Sequence, residues 1–502
     1  MITVRIGDNE CYFSGELEMY FEPFRKHIIG NGQGITTPYG KKRIVYADWT
    51  ASGRLYRPVE NQVSEVFGPF MANTHTESNS TSSIMTLAYK QAQRIIKNHV
   101  NADEDDVLIA SGSGMTDVVN KLQRILGLKV PEKFISKINI PESERPVIFV
   151  THMEHHSNHT SWFETIGDVE VITPGTDGKL DLNQLEQLLN CYAGRTMKIG
   201  SFTACSNVTG IQTPYHQLAR KMHEHGGICF IDFAASAPYM DIDMHPKDPI
   251  EKLDGIFFSP HKFLGGPGAN GVLLFDSRLY TSKVPDHPGG GTVTWTNPWG
   301  KHQYFENIEI REDGGTPGIL QTIKTALCIK LKEQMGTENI LKREKELMDL
   351  LLPGLESISG IHILDGKITD RLGIVSFFSD DIHYNLIVKL LNDRFGYQVR
   401  GGCSCAGTYG HYLLKIDEKT SNSISDKINQ GDMSTKPGWV RISVHPTMTN
   451  EEVYGFVKSL KLIIENIKEW EKEYLYDPKS NDYFYIHQER DQSEELFRLQ
   501  GP

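Results

Sequence analysis

The sequence predicts an α/β fold in which a large, doubly wound and mostly parallel sheet domain precedes a smaller α+β domain. Apolar runs of strand type alternate with stretches of helical periodicity between about residues 107 and 262, and small or polar residues follow each run. From about residue 330 the pattern changes to longer charged helices separated by few strands. The predicted parts are an N-terminal segment (1–40), a large domain (41–325), a small domain (326–474, with a polar insertion at about 415–436) and a tail (475–502).

Composition excludes several classes of protein. The formal charge of the 502 residues is −12, and no basic stripe offsets it, which argues against nucleic-acid binding. No apolar run approaches the roughly 20 residues that a membrane span needs, and the N-terminus lacks the apolar region of a secretory signal. The seven cysteines are sparse and odd in number, which favours a reducing cytoplasm over a disulfide framework.

The first strand–loop–helix unit offers an anion site. Val107–Ala110 is the strand, Ser111–Thr116 is the small-residue loop, and a helix runs from about Asp117 to Leu126. Free backbone amides at a helix N-terminus, together with Ser and Thr hydroxyls, suit a phosphate. A plain strand-to-helix turn explains the same residues, and the dinucleotide-binding glycine spacing is absent.

Four histidines follow the next buried strand, Val147–Val150: His152, His155, His156 and His159. They come directly after a strand end, so the helical spacing of a zinc motif is missing. Three roles for these histidines remain open: His155 could stack on a planar cofactor, the group could bind a metal, or they could be ordinary loop residues.

Two further strands end in polar residues, with Asn207 after Met197–Phe202 and Asp232 after Gly227–Ile231. A fifth apolar strand leads to Ser259, His261 and Lys262. Burial there would disfavour the ammonium form of Lys262 and make its amine a nucleophile, whereas the alternative is a surface lysine in a hairpin.

Because the ligands of doubly wound sheets bind at the carboxyl ends of the strands, these residues are expected to converge. A pyridine-aldehyde phosphate would use all of them. Lys262 would bind the aldehyde as a Schiff base, Asp232 would pair with the ring nitrogen, and His155 would stack on the ring. Ser113–Thr116, with Ser259 or His261, would hold the phosphate, and His287–Thr292 is a second glycine-rich loop.

The small domain is predicted from five elements, the last of which begins with a capping box. They are a helix from Ile340 to Leu352 stopped by Pro353-Gly354, a strand at Leu372–Phe377, a helix at about Ile382–Phe395, a strand at Trp439–Val444, and a long helix opened by Thr449-Asn-Glu-Glu452. The polar segment at 415–436 is expected to be a loop insertion, with a lid as one use for it.

Several motifs give the chain a family resemblance over roughly residues 40 to 470. They are Ser259-x-His-Lys262, Glu154-His-His-x-Asn158, Ser206-Asn-Val-x-Gly210 and Asp232. With them the chain resembles the class V aminotransferase family of pyridoxal-phosphate enzymes, in particular the cysteine desulfurases and the desulfurase-like domain of molybdenum cofactor sulfurases. The resemblance implies fold-type I, a homodimer and pyridoxal 5′-phosphate as cofactor.

The resemblance also implies a role for each matching residue. Lys262 is the Schiff-base lysine, Asp232 the ring-nitrogen partner, His155 the stacking residue and Asn207 the contact to the ring oxygen. Arg441 takes the substrate carboxylate, with Arg400 close to it. The residues implied to bind the phosphate are Gly114, Met115, Thr116, Ser259 and His261, and Thr292 is implied to reach the neighbouring subunit's cofactor.

The implied reaction removes sulfur from L-cysteine, leaves alanine and forms a persulfide on a cysteine. Arg400-Gly-Gly-Cys403-Ser-Cys405 places Cys405 at the nucleophile position of the short-loop members, although Cys403 or neither thiol could serve. Two departures weaken the assignment of cysteine as substrate: Ala235 replaces a glutamine common in the family, and Cys403-Ser404 replaces a His-His pair.

Three other functions stay open at this level. An aminotransferase, carbon–sulfur lyase or epimerase of the same family would not need Cys405. A non-catalytic binding protein could keep the fold, and a metalloprotein could use His155, His156, Cys403 and Cys405. A sulfur-acceptor protein is a further expected partner of a desulfurase.

Overall fold

A computed structural model describes the backbone of residues 5–6 and 9–10 and the whole of residues 15–74 and 78–487. Cys11 and parts of the predicted N-terminal segment and tail lie outside the described residues. The chain up to His99 forms short strands and helices: β1 (Arg5–Ile6), β2 (Asn9–Glu10), α1 (Glu16–Lys26), β3 (Gly34–Thr37), β4 (Gly40–Arg43), β5 (Val45–Tyr46), α2 (Arg57–Asn61) and α3 (Ser80–His99).

A seven-stranded sheet forms the centre of the molecule, in the order β6-β12-β11-β10-β9-β7-β8. Only β12 is antiparallel to its neighbours, β11 and β6, so the predicted doubly wound and mostly parallel sheet is confirmed. Its strands and the helices between them are β6 (Asp106–Ser111), α4 (Met115–Ile125), α5 (Glu132–Ile135), β7 (Val147–Thr151), α6 (His156–Phe163), β8 (Asp168–Ile172), α7 (Leu182–Cys191), β9 (Lys198–Thr203), α8 (Tyr215–Glu224), β10 (Ile228–Asp232), β11 (Gly255–Phe258) and β12 (Gly271–Asp276).

The apolar strands are continuous because both faces of the sheet are covered. Successive side chains point to opposite faces, so Ile148 and Phe257 pack in one core while Phe149 and Phe258 pack in the other. All four side chains are fully buried. This packing fixes the strand ends, where the polar residues lie.

The rest of the chain contributes a four-stranded antiparallel sheet of order β15-β16-β19-β18. Strand β17 pairs instead with β5, in parallel. The elements are β13 (Val293–Thr296), β14 (His302–Tyr304), α9 (Ile308–Glu312), α10 (Ile319–Met335), α11 (Thr337–Glu356), β15 (Ile361–Ile363), β16 (Ile374–Ser379), α12 (Tyr384–Leu390), β17 (Tyr397–Gln398), β18 (Arg400–Gly402), α13 (Gly407–Leu413), α14 (Glu418–Asn429), β19 (Trp439–Ser443), α15 (Asn450–Trp470), β20 (Tyr474–Asp477) and β21 (Asp482–Tyr485).

Two sequence predictions for this half of the chain are wrong. Helix α11 does not stop at Pro353 but continues to Glu356, because Leu355 is fully buried and its packing outweighs the one backbone hydrogen bond that proline cannot donate. The expected loop at 415–436 contains α14, which begins where the Asp417 side chain accepts a hydrogen bond from the Thr420 amide (2.8 Å). The predicted capping box of α15 is confirmed, with Thr449 and Glu452 bonding to each other's amides. The division into domains stays a prediction.

Among the described residues, none of the helices has the length and apolar character that crossing a bilayer requires. The six cysteines within the described residues carry free thiols. The reducing compartment itself stays a prediction.

Candidate active site

A cavity of about 290 Å³ lies at the carboxyl ends of the parallel strands. It brings together nearly all of the residues that the sequence singles out: Gly114, Met115, Thr116, His155, Asn207, Asp232, Ser259, His261, Lys262, Arg400, Cys405 and Arg441. The convergence expected from the strand ends is therefore found in the structure.

One end of the cavity is the loop before α4, which starts two residues earlier than predicted, at Met115. The Met115 amide donates to Ser259 Oγ at 2.9 Å, and His261 Nδ1 lies 3.2 Å from the Ser113 carbonyl oxygen. Gly114 lies close against the His261 ring, since a Cβ there would sit 3.0 Å from it. Within the described chain the Gly114 and Thr116 amides have no hydrogen-bond acceptor. This end therefore offers an anion free backbone N–H groups beside two polar side chains.

The centre of the cavity holds a half-buried lysine, Lys262, and a buried carboxylate, Asp232. Burial lowers the pKa of Lys262 to about 8, with Asp232 opposing the shift and Arg441 adding to it. Burial likewise raises the pKa of Asp232 to about 6, although its Oδ1 accepts a hydrogen bond from the Ala234 amide (2.7 Å). The arrangement provides a lysine amine that is easily made neutral, together with a carboxylate acceptor.

His155 forms one wall and caps helix α6. Its Nδ1 accepts a hydrogen bond from the Ser157 amide at 3.1 Å. Burial lowers the pKa of its imidazole to about 3, and the charge of Lys262 contributes. The ring is therefore neutral, and its proton is on Nε2 because Nδ1 is the acceptor.

Cys405 lies on a loop that is tied to the large sheet from two sides. Asn207 Nδ2 donates to the carbonyl oxygen of Ser404 (2.8 Å), and the His156 amide donates to that of Cys405 (2.7 Å). Ser404 and Cys405 both have left-handed backbone conformations, with φ of 51° and 55°. Cys405 is exposed and lines the cavity. Cys403 packs instead against the apolar cluster of Met153, Tyr409 and Trp439.

The two arginines lie on neighbouring strands at directly opposed positions, Arg400 on β18 and Arg441 on β19. Arg441 is buried and donates to the Asn207 carbonyl oxygen at 2.9 Å. Both arginines also bond to Asp48, whose Oδ1 is 2.7 Å from Arg441 and whose Oδ2 is 3.1 Å from Arg400 Nε. Sequence reasoning missed Asp48, although its position just after strand β5 is the same signal that identified the other site residues.

Thr292 is the one predicted site residue that does not line the cavity of its own chain. It is fully buried, and its hydroxyl donates to the Gly289 carbonyl oxygen at 2.6 Å. A contact with a neighbouring subunit is untested by a single chain, so that role stays a prediction. Ala235, at the position of the family glutamine, does line the cavity.

The proposed metal set of His155, His156, Cys403 and Cys405 does not assemble. In the described part of the chain, the group whose ligand atoms lie within 4.8 Å of one another is Asp103, Asp106 and His245. There the acidic Asp106 already bonds to His245 Nε2 at 2.6 Å.

Fold and site together define a class of enzyme. The family model for class-V aminotransferases matches residues 45–456, and the chain belongs to that family. The recognition of the family, the fold class and the expectation of an enzyme are thereby confirmed.

Within the family, the similarity is to cysteine desulfurases. A probable cysteine desulfurase from Staphylococcus aureus is 28% identical over 73% of this chain and 84% of its own length. A probable cysteine desulfurase from Staphylococcus epidermidis is also 28% identical, over 76% of this chain and 87% of its own length.

Solved structures share the fold. The apo cysteine desulfurase from Thermococcus onnurineus superimposes with a TM-score of 0.70 at 24% identity, covering 89% of this chain and 98% of that one. The cysteine desulfurase CsdA from Escherichia coli gives a TM-score of 0.69 at 18% identity, with the same coverage.

Proposed function

We propose that the chain is a pyridoxal-phosphate-dependent cysteine desulfurase, which converts L-cysteine to alanine and leaves a persulfide on Cys405. The observation that carries the proposal is the presence of the exposed Cys405 in the same cavity as the half-buried Lys262 and the buried Asp232. The relatives named above support the substrate.

The side chains of the cavity fit pyridoxal phosphate. The unpaired amides of Gly114 and Thr116 suit its phosphate, and Asp232 is a buried carboxylate for the ring nitrogen. Asn207 keeps a buried Oδ1 without a partner in the described chain, next to an Nδ2 with one N–H to spare. It can therefore contact the ring oxygen as acceptor or donor. When bound, the cofactor supplies an electron sink for negative charge on the substrate carbons.

The residues around the cofactor have separate tasks. Lys262 would hold the cofactor through its amine, and the same amine would move the proton of the substrate Cα. The neutral His155 covers the ring face without adding a charge. Asp232 stabilises a protonated ring nitrogen, and Arg441 with Arg400 binds the substrate carboxylate through N–H donors.

Cys405 carries out the sulfur transfer. Its thiol loses a proton, and the sulfur bonds to the sulfur of the bound cysteine while the Cβ–S bond of the substrate breaks. The electron pair of that bond stays on Cβ, which takes up a proton to become the methyl group of alanine. The substrate carbon is reduced, and the two thiols are oxidised to a persulfide.

The test uses the purified protein loaded with cofactor. We expect a visible absorption band, and release of alanine and sulfide from L-cysteine in the presence of a thiol reductant. Cys405→Ser should abolish alanine release and keep the band, whereas the matched Cys403→Ser should retain both. Turnover that survives Cys405→Ser would move the chemistry elsewhere in the family, and absence of the band would refute the cofactor.

We further propose a homodimer, in which Thr292 contacts the partner's cofactor. Two exposed tryptophans on the next hairpin, Trp295 and Trp299, support an interface there. Light scattering would give the mass in solution. The exposed Cys405 would pass its terminal sulfur to an acceptor protein or thiol, and mass spectrometry of the persulfide before and after adding a thiol would follow that transfer.

A further inference from the structure

Asp48 forms a bridge between two arginines at the substrate end of the cavity. Its two oxygens bond separately, Oδ1 to Arg441 at 2.7 Å and Oδ2 to Arg400 at 3.1 Å. The side chain of Asp48 is only 14% exposed, and that of Arg441 is 3% exposed. Screening by water is therefore weak at the Arg441 end of the bridge.

The charges at this end can be counted. Arg400 and Arg441 occupy directly opposed positions on β18 and β19, where like charges destabilise a strand pair. Asp48 cancels one of the two positive charges and leaves a net charge of about one. Donors for a ligand remain, because the Arg400 side chain is half exposed and, within the described chain, bonds to Asp48 only through Nε.

We propose that Asp48 is a specificity-determining residue, which restricts the site to amino acids whose only negative charge is the α-carboxylate. A single carboxylate matches the residual positive charge of the Asp48–Arg400–Arg441 group. A second anionic group, as in aspartate or cysteate, would approach arginines whose remaining positive charge the α-carboxylate already balances, because Asp48 neutralises the rest. The proposal rests on the proposed function, since it takes Arg441 as the contact of the substrate carboxylate.

The test compares ligands that differ by one negative charge. Cofactor-loaded wild type and Asp48→Asn are titrated with L-alanine and with L-cysteate, by calorimetry and by the visible spectrum. We expect Asp48→Asn to improve the affinity for L-cysteate relative to L-alanine by about tenfold, since one opposing charge at short range is worth about 1.4 kcal/mol at a partly buried site. Asp349→Asn removes the same charge from the exposed face of α11 and should leave the ratio unchanged.

Arg400→Gln provides a second variant in case Asp48→Asn folds poorly. Arg400 is half exposed, so its loss should be tolerated, and the remaining Asp48–Arg441 pair is neutral. L-Cysteate binding should then weaken more than L-alanine binding. This change in the affinity ratio is opposite to the one expected for Asp48→Asn. An affinity ratio that neither variant moves would overturn the proposal. Since binding needs no turnover, this result is distinct from a failure of wild-type desulfuration.

Discussion

Ser259 Oγ accepts a hydrogen bond from the backbone amide of Met115 at 2.9 Å, which joins the lysine loop to the first turn of α4. The Met115 amide is buried, so removing its acceptor leaves it unsatisfied at a cost of about 1–3 kcal/mol. The two segments that this bond joins are those proposed to hold the phosphate and the aldehyde of one cofactor.

Ser259→Ala is therefore expected to weaken cofactor binding by roughly tenfold or more. Dialysis against a series of pyridoxal phosphate concentrations, followed by the visible spectrum, measures the change. Ser357→Ala serves as the control. It removes a hydroxyl that donates an exposed hydrogen bond to the Gly354 carbonyl oxygen. Equal cofactor affinity in Ser259→Ala and wild type would show that the bond does not shape the site.

The low pKa of Lys262 has a measurable consequence for cofactor loading. The neutral amine is the reactive form, and it predominates above the pKa of about 8 that burial imposes. The rate at which apo protein gains its visible band should rise with pH and level off above about pH 8. If the lysine had an ordinary pKa, the rate of band formation would keep rising beyond pH 10. Lys262→Ala should form no band at any pH, which separates this lysine from others.

Glu154 is a buried carboxyl surrounded by hydrogen-bond donors. Its Oε1 accepts from the Thr151 hydroxyl (2.7 Å) and the Thr203 amide (2.8 Å), and its Oε2 accepts from Asn158 Nδ2 (2.8 Å). The Asn158 amide cannot turn around, because its Oδ1 accepts from Trp162 Nε1 at 3.1 Å. Glu154 thus connects the end of β9 to α6 behind His155.

Glu154→Gln is expected to destabilise the fold by about 1–3 kcal/mol. Both carboxyl oxygens of Glu154 accept hydrogen bonds, so the new NH₂ group would face a donor at either position and leave it without an acceptor. Urea unfolding of wild type and variant measures the difference in free energy. Glu164→Gln makes the same chemical change at the exposed end of α6 and should be nearly neutral. Comparable stability of the two variants would contradict the proposed network.

The sequence was sufficient for the sheet and for most of the cavity. Buried parallel strands read as apolar runs, so their carboxyl ends, and hence His155, Asn207, Asp232 and Lys262, could be located without coordinates. The capping box at Thr449 is a local signal of the same quality, because it depends on a few adjacent residues.

Other features depend on contacts between distant residues. Nothing near Pro353 in the sequence indicates that Gly354 packs tightly against Val457, where a Cβ would lie 2.7 Å from the valine methyl. Asp48 is part of the site because it bonds to arginines more than 350 residues away in the chain. Cys403 and Cys405 are two residues apart, but the loop directs Cys403 into an apolar cluster and Cys405 into the cavity. Such relationships arise from tertiary packing and not from local pattern.

The hairpin of β20 and β21 lies beyond the family match and is joined to the strand that leads to Cys405. Asn481 Nδ2 donates to the Tyr384 hydroxyl at 2.6 Å. The Tyr384 ring in turn packs on Gly438, where a Cβ would lie 2.6 Å from the ring and 2.9 Å from the Cα of Gly402. Gly402 ends β18, three residues before Cys405.

Asn481→Gly is expected to loosen the cysteine loop and to speed the alkylation of Cys405 by iodoacetamide a few-fold. Glycine suits the left-handed conformation of Asn481 (φ 56°), so the change removes the side chain without adding backbone strain. Asn101→Gly, at an exposed left-handed residue (φ 51°), is the matched control. Mass spectrometry of the Cys405 peptide gives the rates. A faster reaction only in Asn481→Gly would establish that the C-terminal hairpin positions the nucleophile loop, whereas equal rates in both variants and wild type would leave the hairpin a purely peripheral element.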